Sequence, residues 1–430
     1  MSEIEIRYQQ ALQHHRAGDQ VAAREGYLAV LQDEPDHARA LHRLGNLDMR
    51  NGDLDSAERL IRRAIQSDPQ LAGACNSLGN VLAAQGKYKQ AIEAYRAELQ
   101  QRPDFAVAHH QIGQLFMQLG RLDDALRAVQ KSIFHAPEFA AAYNTLGRIY
   151  NNRGELAEAA QALRRCLQFD PDNTEARYNL AHVLRRQGDT ARAAELVAEV
   201  LATEPDHANA HRLRGQLALE RGDSEAALSA FNRTLELVPG DGIALYSLGV
   251  IYQRRAVYER AIAYFEQATT KLPDYADAWC NLGSSLRAVG QLEPAETAFR
   301  KALTHQQRHP EALSGLAGVL EMLGRQDESL ALLQPHIEAG SAPPQLAVVY
   351  ATALQRLERS DEAIELLSTT LANNPESFDR MVLHFKLGEL HDRRREFEQA
   401  FGHFEAANRL CRTDFDPDNH RQLGDRIVSA

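Results

Sequence analysis

Apolar residues in this chain fall in helical stripes, and the stripes return every 34 residues. A small residue behind a mostly apolar one recurs at Ala11, Gly45, Gly79, Gly113, Gly147, Ala181, Gly215, Gly249, Gly283, Ala317 and Ala351, with a twelfth member at Gly388 after a three-residue slip. Twelve residues behind each stands a second one: Ala23, Ala57, Ala91, Ala125, Ala159, Ala193, Ala227, Ala261, Ala295, Ser329, Ala363 and Ala400. Between the two lies a turn residue, as at Gly18, Gly52, Gly86, Gly120, Gly154, Gly188, Gly222, Gly290 and Gly324. A proline closes most units, from Pro35 and Pro69 through to Pro273, and again at Pro375. Each unit therefore reads helix, glycine turn, helix, proline stop.

Residue size explains the unit. Small residues on both helices let the backbones approach closely, while larger apolar groups fill the space between them. In the fifth unit Tyr143, Leu146 and Tyr150 share one helical face, and Ala159, Leu163 and Leu167 share another. One such pair cannot bury its apolar face alone, so neighbouring units must stack. In the ninth unit Trp279, Leu282, Gly283, Ala295 and Phe299 stand at the spacing of the tetratricopeptide repeat, which the chain resembles over residues 3 to 410. The resemblance implies an all-α, right-handed superhelix (an α-solenoid) of about twelve helix-turn-helix repeats. It also implies a non-catalytic scaffold for protein-protein interaction.

The pattern loosens from about residue 305. Pro335 falls within an expected second helix, and Glu338 to Pro344 is rich in Gly, Pro and Ser, so a bend is expected at 335–345. The longer spacing between Pro375 and Gly388 allows nearly one more helical turn at the start of the twelfth unit. Residues 1–410 thus form the solenoid and 411–430 a linker with a capping or junction helix, in which Asp416-Pro417 makes a turn and Leu423 and Ile427 one face. The final repeat with this linker and the helix containing Asp425 to Ala430 resembles the junction in bacterial proteins that carry such repeats ahead of a sulfotransferase domain. That resemblance implies a substrate-recruiting arm whose catalytic domain is absent from these 430 residues.

Composition narrows the function. A net charge of −11 disfavours generic nucleic-acid binding, and no apolar run is long enough to span a bilayer. The opening residues lack the ordered basic, apolar and cleavage regions of an export signal, so a cytoplasmic location is expected. Cys75, Cys166, Cys280 and Cys411 are scattered and form no CxxC, which suits reduced thiols. No phosphate loop, dinucleotide fingerprint or zinc-protease motif occurs, and no cofactor is expected. His305 and His309 stand four apart but lack a third ligand, so no metal site is expected. Arginine outnumbers lysine 42 to 6, which suits bidentate contacts and equally a biased genomic composition.

Function is then expected on a surface. With the first small residue of each repeat numbered 8, positions 4, 7, 8 and 11 are buried, and positions 2, 5, 9, 12 and 13 centre on another face. In the resembled family that face lines the inner groove. It carries His42, Asn46 and Arg50, then Asn76, Asn80, His110 and Gln114, then Asn144, Arg148, Asn151 and Asn152. His182, Arg185, Arg186, Arg212, Gln216, Arg254 and Arg287 continue the row. Amides can grip the backbone of an extended peptide, and arginines choose acidic groups, so the expected partner is an acidic protein or peptide. Glu175 and Glu220 keep the basic character local. The lysines with which related co-chaperones clamp a carboxylate are replaced here by His42 or Asn76, so that function is not expected. Homo-oligomerisation through the solenoid ends or the irregular repeats 9 to 12 is the remaining alternative.

Overall fold

The computed structural model describes residues 2–338, 343–373 and 377–410. Within them the chain forms twenty-four α-helices and no strand. The helices come in twelve pairs at the expected repeat positions, from α1 (Glu3–Arg16) and α2 (Gln20–Asp33) to α23 (Ser377–Arg393) and α24 (Phe397–Leu410). The chain divides into two compact units, Met1–Leu217 and Ala218–Ala430, with the division inside α13 (Ala208–Glu220).

In the first unit consecutive helices pack on one another as far as α12 (Thr190–Thr203), and several successive first helices also touch. Thus α9 (Ala140–Arg153) meets both α7 (Ala106–Gln118) and α11 (Thr174–Arg186), so over these three repeats the first helices form one layer. Tyr27 and Tyr95, fully buried, fill the joints. Tyr95 of α6 (Tyr88–Gln101) requires Gly79 opposite, on α5 (Ala74–Ala84): a Cβ there would come 2.5 Å from its ring. The start of α5, at Gly73, has no side-chain cap of its own. Buried Glu98 of α6 serves instead, accepting from the Gly73 and Asn76 amides at 3.2 Å each.

The second unit repeats the scheme with Phe231, Phe265 and Phe299 in the joints. Its first helices, α15 (Gly242–Arg254), α17 (Ala276–Ala288), α19 (Pro310–Met322), α21 (Pro344–Arg356) and α23, again touch in succession. Pro335 does not end α20 (Gln326–Glu338), which runs three residues further, because in the last turn it removes only one hydrogen bond. Residues 339–342, in the expected bend, lie outside the described residues, as do 411–430 with the expected capping helix and the second half of the sulfotransferase-arm resemblance. The three-residue slip appears as the length of α23, 17 residues.

All nine turn glycines have positive φ, between 71° and 86°. The eighth, eleventh and twelfth repeats place Ala256, Glu358 and Arg395 in the same left-handed conformation.

Candidate groove on the first-helix layer

In the first unit the predicted row separates into three kinds of side chain. His42, His110 and Asn144, all at position 5, are buried and bind the next repeat. His42 Nε2 lies 2.9 Å from Ser77 Oγ, His110 Nε2 lies 2.8 Å from Thr145 Oγ1, and Asn179 Nδ2 donates to Asn144 Oδ1 at 3.0 Å. Each bond joins residues 35 apart, position 5 of one repeat to position 6 of the next. These three residues therefore hold adjacent first helices in register rather than lining a groove. Burial lowers both imidazoles to about 4, so they are neutral at pH 7.

The second kind is half-buried. Asn80 Oδ1 accepts from Tyr95 Oη at 2.7 Å. Asn46 Oδ1 and Asn76 Oδ1 are enclosed without a donor. Gln114 and Arg148 share a cavity of about 240 Å³ with Tyr88, Gln111, Met117 and Gln118. Arg148 reaches Glu175 at 3.4 Å. Gln118 was missed in the sequence although it occupies position 13, the place of Asn152 and Arg186 in the following repeats. Gln111 and Tyr88 lie at positions 6 and 17, outside the face deduced from a single helix.

The third kind is the basic cluster. His182 is pushed below the usual histidine range by burial and then by the nearby charges of Arg185, Arg186 and Arg212. Arg186 donates to the carbonyl and side-chain oxygens of Asn151 at 2.7 and 2.5 Å. Arg50 and Asn152 are exposed, and Gln216 is half-buried. The charges of three guanidinium groups thus act on one half-buried imidazole on the first-helix layer, and positive charge so gathered attracts carboxylates.

Arg254 and Arg287 belong to the second unit, and both are exposed. Arg287 extends over Gly318, where a Cβ would stand 3.1 Å from its Nη1. The position-5 bond recurs here, Asn281 Nδ2 donating to Tyr246 Oη at 3.1 Å. His305 and His309 do not share a helical face. Helix α18 (Leu292–His305) ends at the first, and the second caps α19 through the Ala312 amide, 3.3 Å away. Among the described residues no group of three or more metal-ligating side chains is gathered, and no helix is long and apolar enough to cross a membrane. Cys75, Cys166 and Cys280 are buried free thiols, and burial pushes Cys166 up to about 11 and Cys280 up to about 12.

Residues 188–423 match the family described as Cilia and flagella-associated protein 70 C-terminal domain. Residues 152–217, and 8–72, 42–106 and 110–174, match two tetratricopeptide-repeat families. No curated protein matches the chain significantly. Among solved structures, the APC/C hetero-tetramer Cut9-Hcn1 aligns over 96% of this chain and 95% of that one, at 12% identity and a TM-score of 0.50. A tetratricopeptide repeat protein from Parabacteroides merdae ATCC 43184 covers 58% of this chain and 98% of its own, at 20% identity and a TM-score of 0.47. At these identities the likeness concerns the fold alone.

Proposed function

We propose that this chain, which belongs to the tetratricopeptide-repeat family and over residues 188–423 to the family described as Cilia and flagella-associated protein 70 C-terminal domain, is a non-catalytic scaffold that holds an acidic, extended peptide on its first-helix layer. Repeats of this family mediate protein-protein interaction. The observation that carries the finer reading is the basic cluster of Arg185, Arg186 and Arg212 around His182. A peptide carboxylate arriving there gains charge-assisted hydrogen bonds, and keeping His182 neutral avoids adding a fourth cation that the fold would have to hold. Towards the earlier repeats, the cavity lined by Gln111, Gln114, Gln118 and Arg148 offers acceptors and donors to a peptide backbone.

Arg185→Glu combined with Arg186→Glu should remove this binding while leaving helicity unchanged, since neither side chain belongs to the core. Pull-downs with wild type and the double variant from one lysate, read by mass spectrometry with circular dichroism as the folding control, make the test. A partner enriched only by wild type supports the reading. Identical partner lists from two equally helical proteins would refute it.

A further inference from the structure

A different group of side chains gathers where two second helices of the first unit flank the first helix α7. Phe134, near the end of α8 (Leu122–His135), is 79% exposed. The repeat does not call for it, because Gln32, Gln66, Gln100 and Gln168 occupy the equivalent place in neighbouring repeats. Its ring meets His135 edge-on at 5.1 Å, and His135 stacks on His109 at 5.4 Å and 13°. His109, fixed by a 3.0 Å hydrogen bond from Nε2 to the Pro103 carbonyl, is also a wall of a cavity of about 250 Å³ between α6, α7 and α8. Leu99, Ile112, Phe116 and Ala128 make the apolar part of that cavity. Arg96, Arg127 and Lys131 make the charged part, with Asp124.

The charges do not balance. Asp124 is shared between Arg121 and Arg127, and these contacts hold its carboxyl below the usual range. Arg96 and Lys131 have no carboxylate partner among the described residues. Cations left unpaired around an apolar cleft, on a chain of net charge −11, mark a local reversal of sign. The cavity is smaller than sites that enclose whole small molecules, roughly 300–1,000 Å³, and suits a single side chain. Hot-spot chemistry has this form, one apolar anchor in a pocket with charge pairing at its edge.

We propose that this cleft is a second recognition site, which takes an acidic peptide segment of a partner protein. One large apolar side chain of the segment fills the cavity, its flanking carboxylates meet Arg96 and Lys131, and Phe134 covers the bound segment. The site is separate from the first-helix cluster and does not depend on it.

Fluorescence anisotropy with the full chain and a fluorescein-labelled peptide GSEEFEEGS tests this. Saturable binding is expected, weakened about tenfold or more by Arg96→Glu with Lys131→Glu, and likewise by replacing the peptide's phenylalanine with alanine. Phe134→Gln, which installs the residue of the neighbouring repeats, should weaken it less. These side chains lie outside the core, so the variants should keep the wild-type circular dichroism spectrum. No saturable binding, or equal affinity for the alanine peptide, would overturn the proposal. So would binding that survives the Arg96/Lys131 change and is lost in the Arg185/Arg186 variant, since the peptide would then occupy the first-helix layer. If the proposed groove fails its own test and this peptide still binds as expected, only the groove reading is lost.

Discussion

A left-handed turn residue costs little when it is glycine and about 1–2 kcal/mol when it carries a Cβ. Nine repeats follow that rule, whereas Ala256, Glu358 and Arg395 hold φ of 56° to 60° without glycine. Replacing Ala256 with Gly removes that strain, and the greater freedom of glycine in the unfolded chain offsets part of the gain. Ala256→Gly should therefore stabilise the second unit by about 0.5–1 kcal/mol, read from the urea midpoint. A midpoint that stays put or falls would show that the turn is unstrained. The absence of glycine at these three places is plain in the sequence, but whether such a repeat changes its turn or strains it is decided by the backbone alone.

At the scale of the element, the helix pair depends on small residues facing large ones. Ala159 of α10 (Leu156–Phe169) is fully buried where α9 approaches, and a Cβ on Gly147 would lie 2.5 Å from Leu163. Ala159→Leu should overpack this joint and cost about 1–3 kcal/mol. An unshifted melting curve would mean that the register of small residues does not set the approach. A second device recurs at position 4. Trp279, His109 and His211 each donate a ring N–H to the proline carbonyl six residues earlier, at 2.8, 3.0 and 2.7 Å. Arg177, at the same position, reaches the Pro171 carbonyl in the same way, so the bond accepts any long side chain with an N–H, and that accounts for tryptophan, histidine and arginine at one position. Helix identity and pairing were legible because period and residue size are local. The destination of position 5 was not: one helix considered alone has an inside and an outside, whereas a stacked helix also has a neighbour on each side. His42, His110 and Asn144 turn towards that neighbour.

For the whole molecule, this sideways bonding links stability to acidity. The buried His42 and His110 have pKa values lowered to about 4, while in the unfolded chain they titrate near 6.5. Below 6.5 the unfolded chain binds more protons than the folded one, so their stabilising contribution is complete above that pH and declines as pH falls towards 4. The loss amounts to at most about 3 kcal/mol for each histidine. Melting temperature measured from pH 7.5 to 4.5 should fall, and less so in His110→Asn, which copies the Asn144 of the following repeat. Equal slopes in the two proteins would remove His110 from the account. The basic cluster was legible at whole-chain scale as a run of arginines, but the cleft beside Phe134 was not, because its walls come from three helices and its stack joins His109 to His135. The bonds that span 35 residues also bear on how such a chain can grow. Each needs one partner from either side of a boundary, so a duplicated or transplanted repeat brings half of two bonds and completes neither unless its new neighbours match. His42 expects a hydroxyl where Asn144 expects an amide. The piece that can be moved intact is therefore the boundary, the end of one repeat with the start of the next, and a library cut at mid-repeat should yield more folded chains than one cut at the prolines.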